Sequence, residues 1–223
     1  VGGADWDVVK GTWNSTVKYH TEVLDGDLTA WNAFLAWLNG SDLSTPEGLA
    51  QLKGRIDYRG FLKYFALNII GQNEDWPQNN WIATRARGNA AARWMFHEND
   101  AEWALGIRPQ GYVSDTIVWA QGQNFMLSPS HNGTIAPLSK LFNGNSLDPN
   151  RTSDVNGILD NPEGRRDFIS AVEEILNFEF SPAVSIPKVD AYAALIQTEV
   201  PRESARWSAN MIISASADRK SVV

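Results

Sequence analysis

The 223-residue sequence contains no cysteine, few histidines and no long apolar run. Without cysteine, the chain forms neither a disulfide bond nor a thiolate zinc site. The three histidines, His20, His97 and His131, lie far apart in the sequence and lack the spacing of a histidine metal site. No apolar run reaches the roughly 18 residues that a transmembrane helix needs, so the sequence predicts no membrane span.

The chain also lacks an excess of basic residues. It carries 26 acidic and 19 basic side chains, which give a formal net charge of −7. No basic stripe is present to neutralise a phosphate backbone, which argues against a nucleic-acid partner. Cationic partners or metal ions suit this charge better, and solubility alone explains it as well.

Tryptophan, in contrast, is abundant, with ten residues in a chain that is 43% hydrophobic and 20% charged. This composition is typical of a soluble globular protein, and the length fits one large domain. Tryptophan-rich proteins often bind sugars or peptides, but apolar neighbours surround most of these tryptophans. We therefore expect most of them in the core or in pocket walls.

The apolar pattern predicts a mixture of helices and strands. Thr45 and Asp57 have the side chains and positions of helix N-caps. We expect Trp76 and Trp81 to pack beneath the loop between the helix that Asp57 begins and the next strand. The predicted strands cover residues 4–10, 81–84 and 93–96, with a turn near 87–89. The predicted helices cover residues 27–38, 46–52, 58–70, 135–142, 154–159, 163–178, 187–196 and 201–213.

The most informative segment is the polar loop Gly71–Trp81 between a buried helix and a strand. Asp75 precedes Asn80 by five positions, and a second acidic pair, Asp100 and Glu102, follows the second of the two predicted strands after the loop. An Asp, an Asn five residues later and a separate downstream Asp is the order found in kinase-type phosphoryl-transfer sites. Since Asp-x4-Asn is common by chance, this spacing alone is a weak signal.

The two strands after this loop predict a hairpin that brings Asp100 back to the neighbourhood of Asn80. With Phe96, Trp103 and Leu105 nearby, we expect Asp100 to be half-buried, and a buried carboxylate needs a cation or hydrogen-bond donors. We also expect Asn73 to brace the loop that carries Asp75.

These segments resemble the CotH kinase family, the spore-coat protein H and its relatives. The resemblance covers about residues 4 to 210 and is carried by Asp57–Phe65, Asn73–Trp81 and Trp94–Gly106. Asn99 is a mild departure, because tryptophan or proline often precedes the metal-binding Asp in that family.

The resemblance implies an α+β, mostly helical fold, the C-terminal lobe of an atypical protein-kinase-like fold with a small β-hairpin at the active site. Members transfer phosphate from ATP to serines of secreted or spore-coat proteins. By resemblance, Asp75 is the catalytic base, and Asn80 and Asp100 hold Mg²⁺. Glu102 is either a second cofactor ligand or a structural hydrogen-bond acceptor.

The resemblance also sets expectations for domains, partners and location. Residues 1–214 are expected to form one lobe, and 215–223 a disordered tail. The nucleotide-binding N-terminal lobe of the family is expected before residue 4 and so outside this chain. The partner is expected to be a protein with a Ser or Thr acceptor, and the location secreted, cell-surface or spore-coat.

Two other functions remain open from the residues. The first is a non-catalytic domain of the same fold that binds a cell-wall polymer or a surface partner through tryptophan-lined clefts. The second is a glycoside hydrolase in which Asp75 works with Asp100 or Glu102. That reaction requires two carboxyl groups roughly 5–9.5 Å apart across an open groove.

Overall fold

The structure is a computed structural model that describes residues 5–14, 16, 18–73, 76–77, 79–101, 104, 141 and 157–207. The fold is mixed α/β, with a four-stranded antiparallel sheet and, in the described residues, six α-helices. The chain divides into two compact units, Val1–Glu173 and Glu174–Val223, each described by itself below.

The sheet has the strand order β2-β1-β3-β4. Its strands are β1 (Trp6–Asn14), β2 (Lys18–Asp25), β3 (Trp81–Ala86) and β4 (Met95–Glu98). The central pair, β1 and β3, is antiparallel, with Gly11 opposite Trp81. The predicted hairpin of β3 and β4 is confirmed, with Trp81 opposite Glu98 and Thr84 opposite Met95.

Two predictions about this sheet need correction. The expected strand over residues 4–10 continues through Gly11 to Asn14. The sequence predicts no strand at β2 (Lys18–Asp25), because its clear pattern in this region is helical and begins only at Asp27. β2 is an edge strand whose exposed residues give no clear apolar alternation, so its pairing with β1 supplies the information that the local sequence lacks.

Helices α1 (Thr29–Gly40), α2 (Pro46–Lys53) and α3 (Tyr58–Ile70) follow the β1–β2 hairpin. Both predicted N-caps are confirmed. The Thr45 side chain accepts the Gly48 N–H at 3.0 Å. The Asp57 side chain accepts the Gly60 N–H at 3.3 Å. These bonds satisfy amide groups that the first helical turn leaves without intrahelical partners, and so fix where α2 and α3 begin.

The core of the first unit is aromatic. Trp31 on α1 is fully buried, and its ring centroid lies 5.4 Å from that of Trp81 on β3 and 4.9 Å from that of Trp94. Phe61 on α3 packs against Phe96 on β4, with centroids 5.1 Å apart. The described tryptophans at these positions are therefore core residues, as expected, and they join the helices to the sheet.

Helix α4 (Pro162–Glu174) follows a 3-10 turn, Ile158–Asp160. The predicted helix over 154–159 is described only from residue 157, and Leu141 alone is described from the predicted helix over 135–142. The Lys53 ammonium lies 2.7 Å from Glu163 and 3.2 Å from Asp167, which ties α2 to α4.

The second unit contains a π-helical turn, Ile175–Glu179, then α5 (Pro182–Ile196) and α6 (Val200–Trp207). The sequence predicted a turn at Pro182 and a separate helix after Pro187. Instead, α5 is one helix with Pro187 inside it, at the loss of a single i→i−4 hydrogen bond to the carbonyl of Ala183. No side chain of α5 is buried. In the described part of the chain, no helix combines the length and hydropathy needed to cross a membrane.

Candidate functional site

The polar loop after α3 is tied to the end of that helix by three backbone hydrogen bonds. The N–H groups of Gly71, Gln72 and Asn73 donate to Leu67, Ile69 and Asn68 at 2.8, 3.1 and 3.0 Å. Gln72 has a positive φ of 52°, a left-handed conformation that is uncommon for residues other than glycine. The chain therefore leaves the helix in a defined direction.

Asn68, Asn73 and Glu98 form a closed ring of hydrogen bonds beneath this loop. Asn68 Nδ2 donates to Glu98 Oε2 at 2.6 Å, and Asn73 Nδ2 donates to Glu98 Oε1 at 3.3 Å. Asn73 Nδ2 also donates to Asn68 Oδ1 at 2.8 Å. The two asparagines are almost fully buried. The expectation that Asn73 braces the loop agrees with these contacts.

The environment of Glu98 shifts its acidity. Its residue surface is exposed overall, yet its carboxylate is partly desolvated, and this desolvation raises the pKa of Glu98. Hydrogen bonds from Asn68, from the Asn99 backbone N–H and from Asn73 act in the opposite direction and lower the pKa, but desolvation outweighs them. One carboxylate thus receives donors from α3, from the loop after it and from the segment after β4.

Trp76 secures the middle of the same loop in the core, as expected. Its indole Nε1 donates to the Tyr64 hydroxyl at 2.6 Å, and its ring lies 4.5 Å from that of Phe65. Burial raises the pKa of Tyr64 well above its usual value, and the nearby Glu98 carboxylate adds to the shift. The loop therefore rests on buried aromatic side chains of α3.

Asn80 ends the loop and contacts both strand β1 and the segment after β4. It is 5% exposed, and its backbone N–H donates to the Gly11 carbonyl at 3.1 Å. Its side-chain Nδ2 donates to the backbone oxygen of Asp100 at 3.2 Å. Asn79 Nδ2 donates to Asn80 Oδ1 at 3.2 Å. The hairpin thus returns residue 100 to residue 80, as the sequence predicts.

Asp100 itself is exposed, so the expectation that it is half-buried is wrong. Strand β4 ends at Glu98, and His97 and Glu98 are both exposed, so the alternation of the strand does not extend to Asp100. The backbone of Asp100 is left-handed, with φ 59°. Among the described residues, Gln72, Asn80 and Asp100 are the non-glycine positions with positive φ, and all three lie in these two loops. Strained backbone of this kind concentrates at functional sites.

Two of the predicted site residues, Asp75 and Glu102, lie outside the described residues. The described chain contains no group of three or more His, Cys, Asp or Glu side chains that could hold a metal ion. The donor set at Asn80 and Asp100 still fits Mg²⁺, because an amide oxygen and a carboxylate are hard ligands. Mg²⁺ is commonly held by one or two carboxylates together with substrate phosphates and water.

Within the part of the chain that the structure describes, two buried polar atoms in this region have no hydrogen-bond partner, Asn73 Oδ1 and Asn99 Nδ2. Their residues flank Glu98, one in each of the two loops. Because a buried polar atom without a partner is costly, it usually marks a bound water, an ion or a functional role.

A separate cavity of about 460 Å³ lies between α1 and α2 and is lined in part by Trp37, Asp42 and Glu47. The Trp37 ring contacts the Arg55 guanidinium at 4.2 Å and stacks with Phe34 at 6.0 Å, and its Nε1 donates to Gln51 at 3.0 Å. The ring is therefore already engaged within the protein, which makes it a poor platform for stacking a sugar.

A comparison with protein-family models places the chain. The model described as "CotH kinase protein" matches residues 4–220, which is nearly the whole sequence. The chain belongs to the CotH kinase family. The comparisons with curated proteins and with solved structures gave no match. Family membership therefore rests on the sequence pattern, and the resemblance seen in the loop motifs is confirmed.

The sequence reasoning missed the part played by Glu98 and Asn68. Asn68 offered a signal, since it is a polar residue in the apolar run Phe65–Ile70 of a helix predicted to be buried. A buried amide of this kind requires partners. Nothing in the local sequence identified Glu98 as that partner, because 30 residues separate the two.

Proposed function

We propose that this CotH family member is the catalytic lobe of a protein kinase, which transfers the γ-phosphate of ATP to a Ser or Thr hydroxyl of a secreted or surface protein. The observation that carries the proposal is the hydrogen bond between Asn80 and the backbone of Asp100. It joins the two loops that, by family resemblance, supply the catalytic base and the metal ligands.

The proposed roles follow the chemistry of each side chain. Asn80 Oδ1 and the Asp100 carboxylate would hold Mg²⁺, and Glu102 would contact the cofactor as a further oxygen ligand. When bound, Mg²⁺ neutralises phosphate charge. Because Asp100 is exposed, its carboxylate is open to phosphates and to water-coordinated metal.

Asp75 would accept the proton of the acceptor hydroxyl. In the transfer, the acceptor oxygen bonds to the γ-phosphorus, the bond from the γ-phosphorus to the β,γ-bridging oxygen breaks, and ADP leaves with that electron pair. The protein contributes mainly position, since phosphoryl transfer needs little covalent chemistry from side chains. The buried anchors Asn73 and Trp76 on either side of Asp75 suit that requirement.

A binding assay and a transfer assay separate these roles. In the full-length protein, Asp100→Asn should abolish the Mg²⁺-dependent thermal shift caused by ATP, because one metal ligand loses its charge. Asp75→Asn should keep that shift and lower phosphate transfer by about 10²–10⁴-fold, the usual contribution of a general base. Asp5→Asn, which changes another exposed aspartate, is the matched control and should behave like the wild type.

A wild-type protein that shows no ATP shift with Mg²⁺ would count against the kinase proposal. The alternative of a cell-wall-binding domain would then gain weight if the protein bound an insoluble cell-wall polymer and Trp37→Ala removed that binding. The engaged state of Trp37 makes us expect no such loss. A glycoside hydrolase would instead cleave a glycan without Mg²⁺ or ATP.

A further inference from the structure

We propose that Glu98 is a positioning residue that sets the relative placement of the two loops of the site. The inference rests on the proposed function, since it assigns Glu98 a part in aligning Asp75 with Asp100. Asn73 lies two positions before Asp75, and Glu98 lies two positions before Asp100. The hydrogen bond from Asn73 Nδ2 to Glu98 Oε1 therefore connects the two loops close to their proposed catalytic residues.

The geometry of the ring makes the carboxylate form of Glu98 suited to this role. Each of its oxygens accepts from a buried asparagine, Oε2 from Asn68 and Oε1 from Asn73. Asn68 is also fixed to its own helix, because its Nδ2 donates to the Tyr64 carbonyl at 3.0 Å. Helix α3 thus serves as the rigid base, and Glu98 transmits its position to both loops.

Glu98 also orders the chain that leads to Asp100. Its carboxylate accepts the backbone N–H of Asn99, the residue between the two acids. Two residues earlier in the hairpin, Phe96 is buried against Phe61 of α3. The packing of Phe96 and the hydrogen bond from Asn99 to Glu98 therefore fix the backbone that leads to Asp100, while Asp100 itself stays exposed.

The substitution Glu98→Gln tests this arrangement, because it keeps the shape and replaces one acceptor oxygen with an NH2 group. Both asparagines present NH2 groups to Glu98, so a glutamine must place two donors against each other at one of them. Hydrogen bonds to an ionised carboxylate are stronger than those to a neutral acceptor, so replacing the carboxylate costs more hydrogen-bond energy than replacing a neutral group would. We expect the loop Gly71–Asn80 to open more often as a result.

Hydrogen–deuterium exchange of the peptide that covers residues 71–80 measures that opening without any need for activity. In the full-length protein, Glu98→Gln and Asn73→Ala should each raise the exchange rate of this peptide by about tenfold to a hundredfold. The double variant should raise exchange by less than the product of the two single increases, because both changes weaken the Asn73–Glu98 contact. Glu163→Gln, which alters the Lys53 ion pair, is the matched control and should leave the peptide unchanged.

Kinetics then distinguish positioning from general stability. With ATP turnover or autophosphorylation as the readout, Glu98→Gln should lower kcat by about tenfold to a hundredfold while KM for ATP changes little, because alignment and not binding is lost. Asn73→Ala keeps the Asn68–Glu98 contact, so it provides the same test if Glu98→Gln fails to fold.

Unchanged exchange of the 71–80 peptide in both variants would overturn the proposal, whatever the activity. An equal decrease of kcat in Glu98→Gln and in Glu163→Gln would also overturn the proposal, since it would indicate a general loss of stability. Faster exchange together with a wild type that transfers no phosphate would refute the kinase function and leave the anchoring of the loop established.

Discussion

Replacement of Gly11 by alanine gives the sharpest test of how the core positions the site. A Cβ atom at residue 11 would lie 2.1 Å from Cε2 and Nε1 of Trp81 and 2.7 Å from its Cζ2. Carbon atoms in contact are about 3.5–4.0 Å apart, so the indole has to move by roughly 1.4 Å or more. Glycine is required here because the Trp81 ring lies directly on β1.

The cost of that movement follows from the packing around Trp81. The residue is 2% exposed, and its ring contacts Trp31, which is fully buried. Overpacking a core of this kind costs about 1–3 kcal/mol. The loss of glycine flexibility in the unfolded chain returns about 0.4–1 kcal/mol. We expect a net loss of about 1–2 kcal/mol, which lowers the melting temperature by roughly 2–8 °C.

Thermal melts of three variants check this estimate. Gly40→Ala is the control, because a Cβ there meets no atom within 4 Å, and its melting temperature should equal or slightly exceed that of the wild type. Trp81→Ala removes the whole ring that the new Cβ would overlap, so Gly11→Ala should cost much less in that background. If Gly11→Ala had the same melting temperature as Gly40→Ala, the close contact between Trp81 and β1 would be refuted. The position of Asn80, bonded to the Gly11 carbonyl, would then be in doubt as well.

Three further predictions concern buried polar groups. Asn161→Ala removes an amide that donates to the carbonyls of residues 43–45 and caps α4. It should lower the free energy of unfolding by about 2–3 kcal/mol in urea titrations. Asn161→Asp keeps the cap but turns a carboxylate oxygen towards those three carbonyl oxygens, so it should destabilise the fold at least as much. Tyr64→Phe leaves the buried Trp76 Nε1 without its acceptor and should cost about 1–3 kcal/mol by the same assay. Burial raises the pKa of Glu98, so protonation of this group favours the folded state. The stability linked to that proton is full below the ordinary glutamate pKa of 4.5 and is lost as pH rises through the raised value, and Glu98→Gln should remove this part of the pH dependence of the unfolding free energy.

Elements with local signals could be predicted from the sequence. Thr45 followed by Pro46, and Asp57 before an apolar run, placed α2 and α3 to within a residue, because capping is chemistry between near neighbours. The hairpin of β3 and β4 followed from two short apolar runs around the turn at Gly88, where φ is 72°.

Features that depend on distant contacts could not be predicted. Gly11 suggested the end of a strand, whereas its real role is to admit the ring of Trp81, which lies 70 positions later in the chain. Glu98 looked like one acidic residue among several, and its partners Asn68 and Asn73 lie 30 and 25 residues away. Asp100 is exposed and left-handed beyond the end of β4, where no periodic pattern of the sequence reports burial.

The register of the β3–β4 hairpin ties the stability of the core to the geometry of the site. Trp81 stands opposite Glu98, and Ala83 stands opposite Phe96. A slip of one residue would turn Trp81 and Ala83, both buried, towards the other face of the sheet. The same slip would separate Asn80 from the Asp100 carbonyl and Glu98 from its asparagines. Hydrophobic burial therefore selects the one register in which these polar contacts form, and within that register the hydrogen bonds of Glu98 connect the two loops.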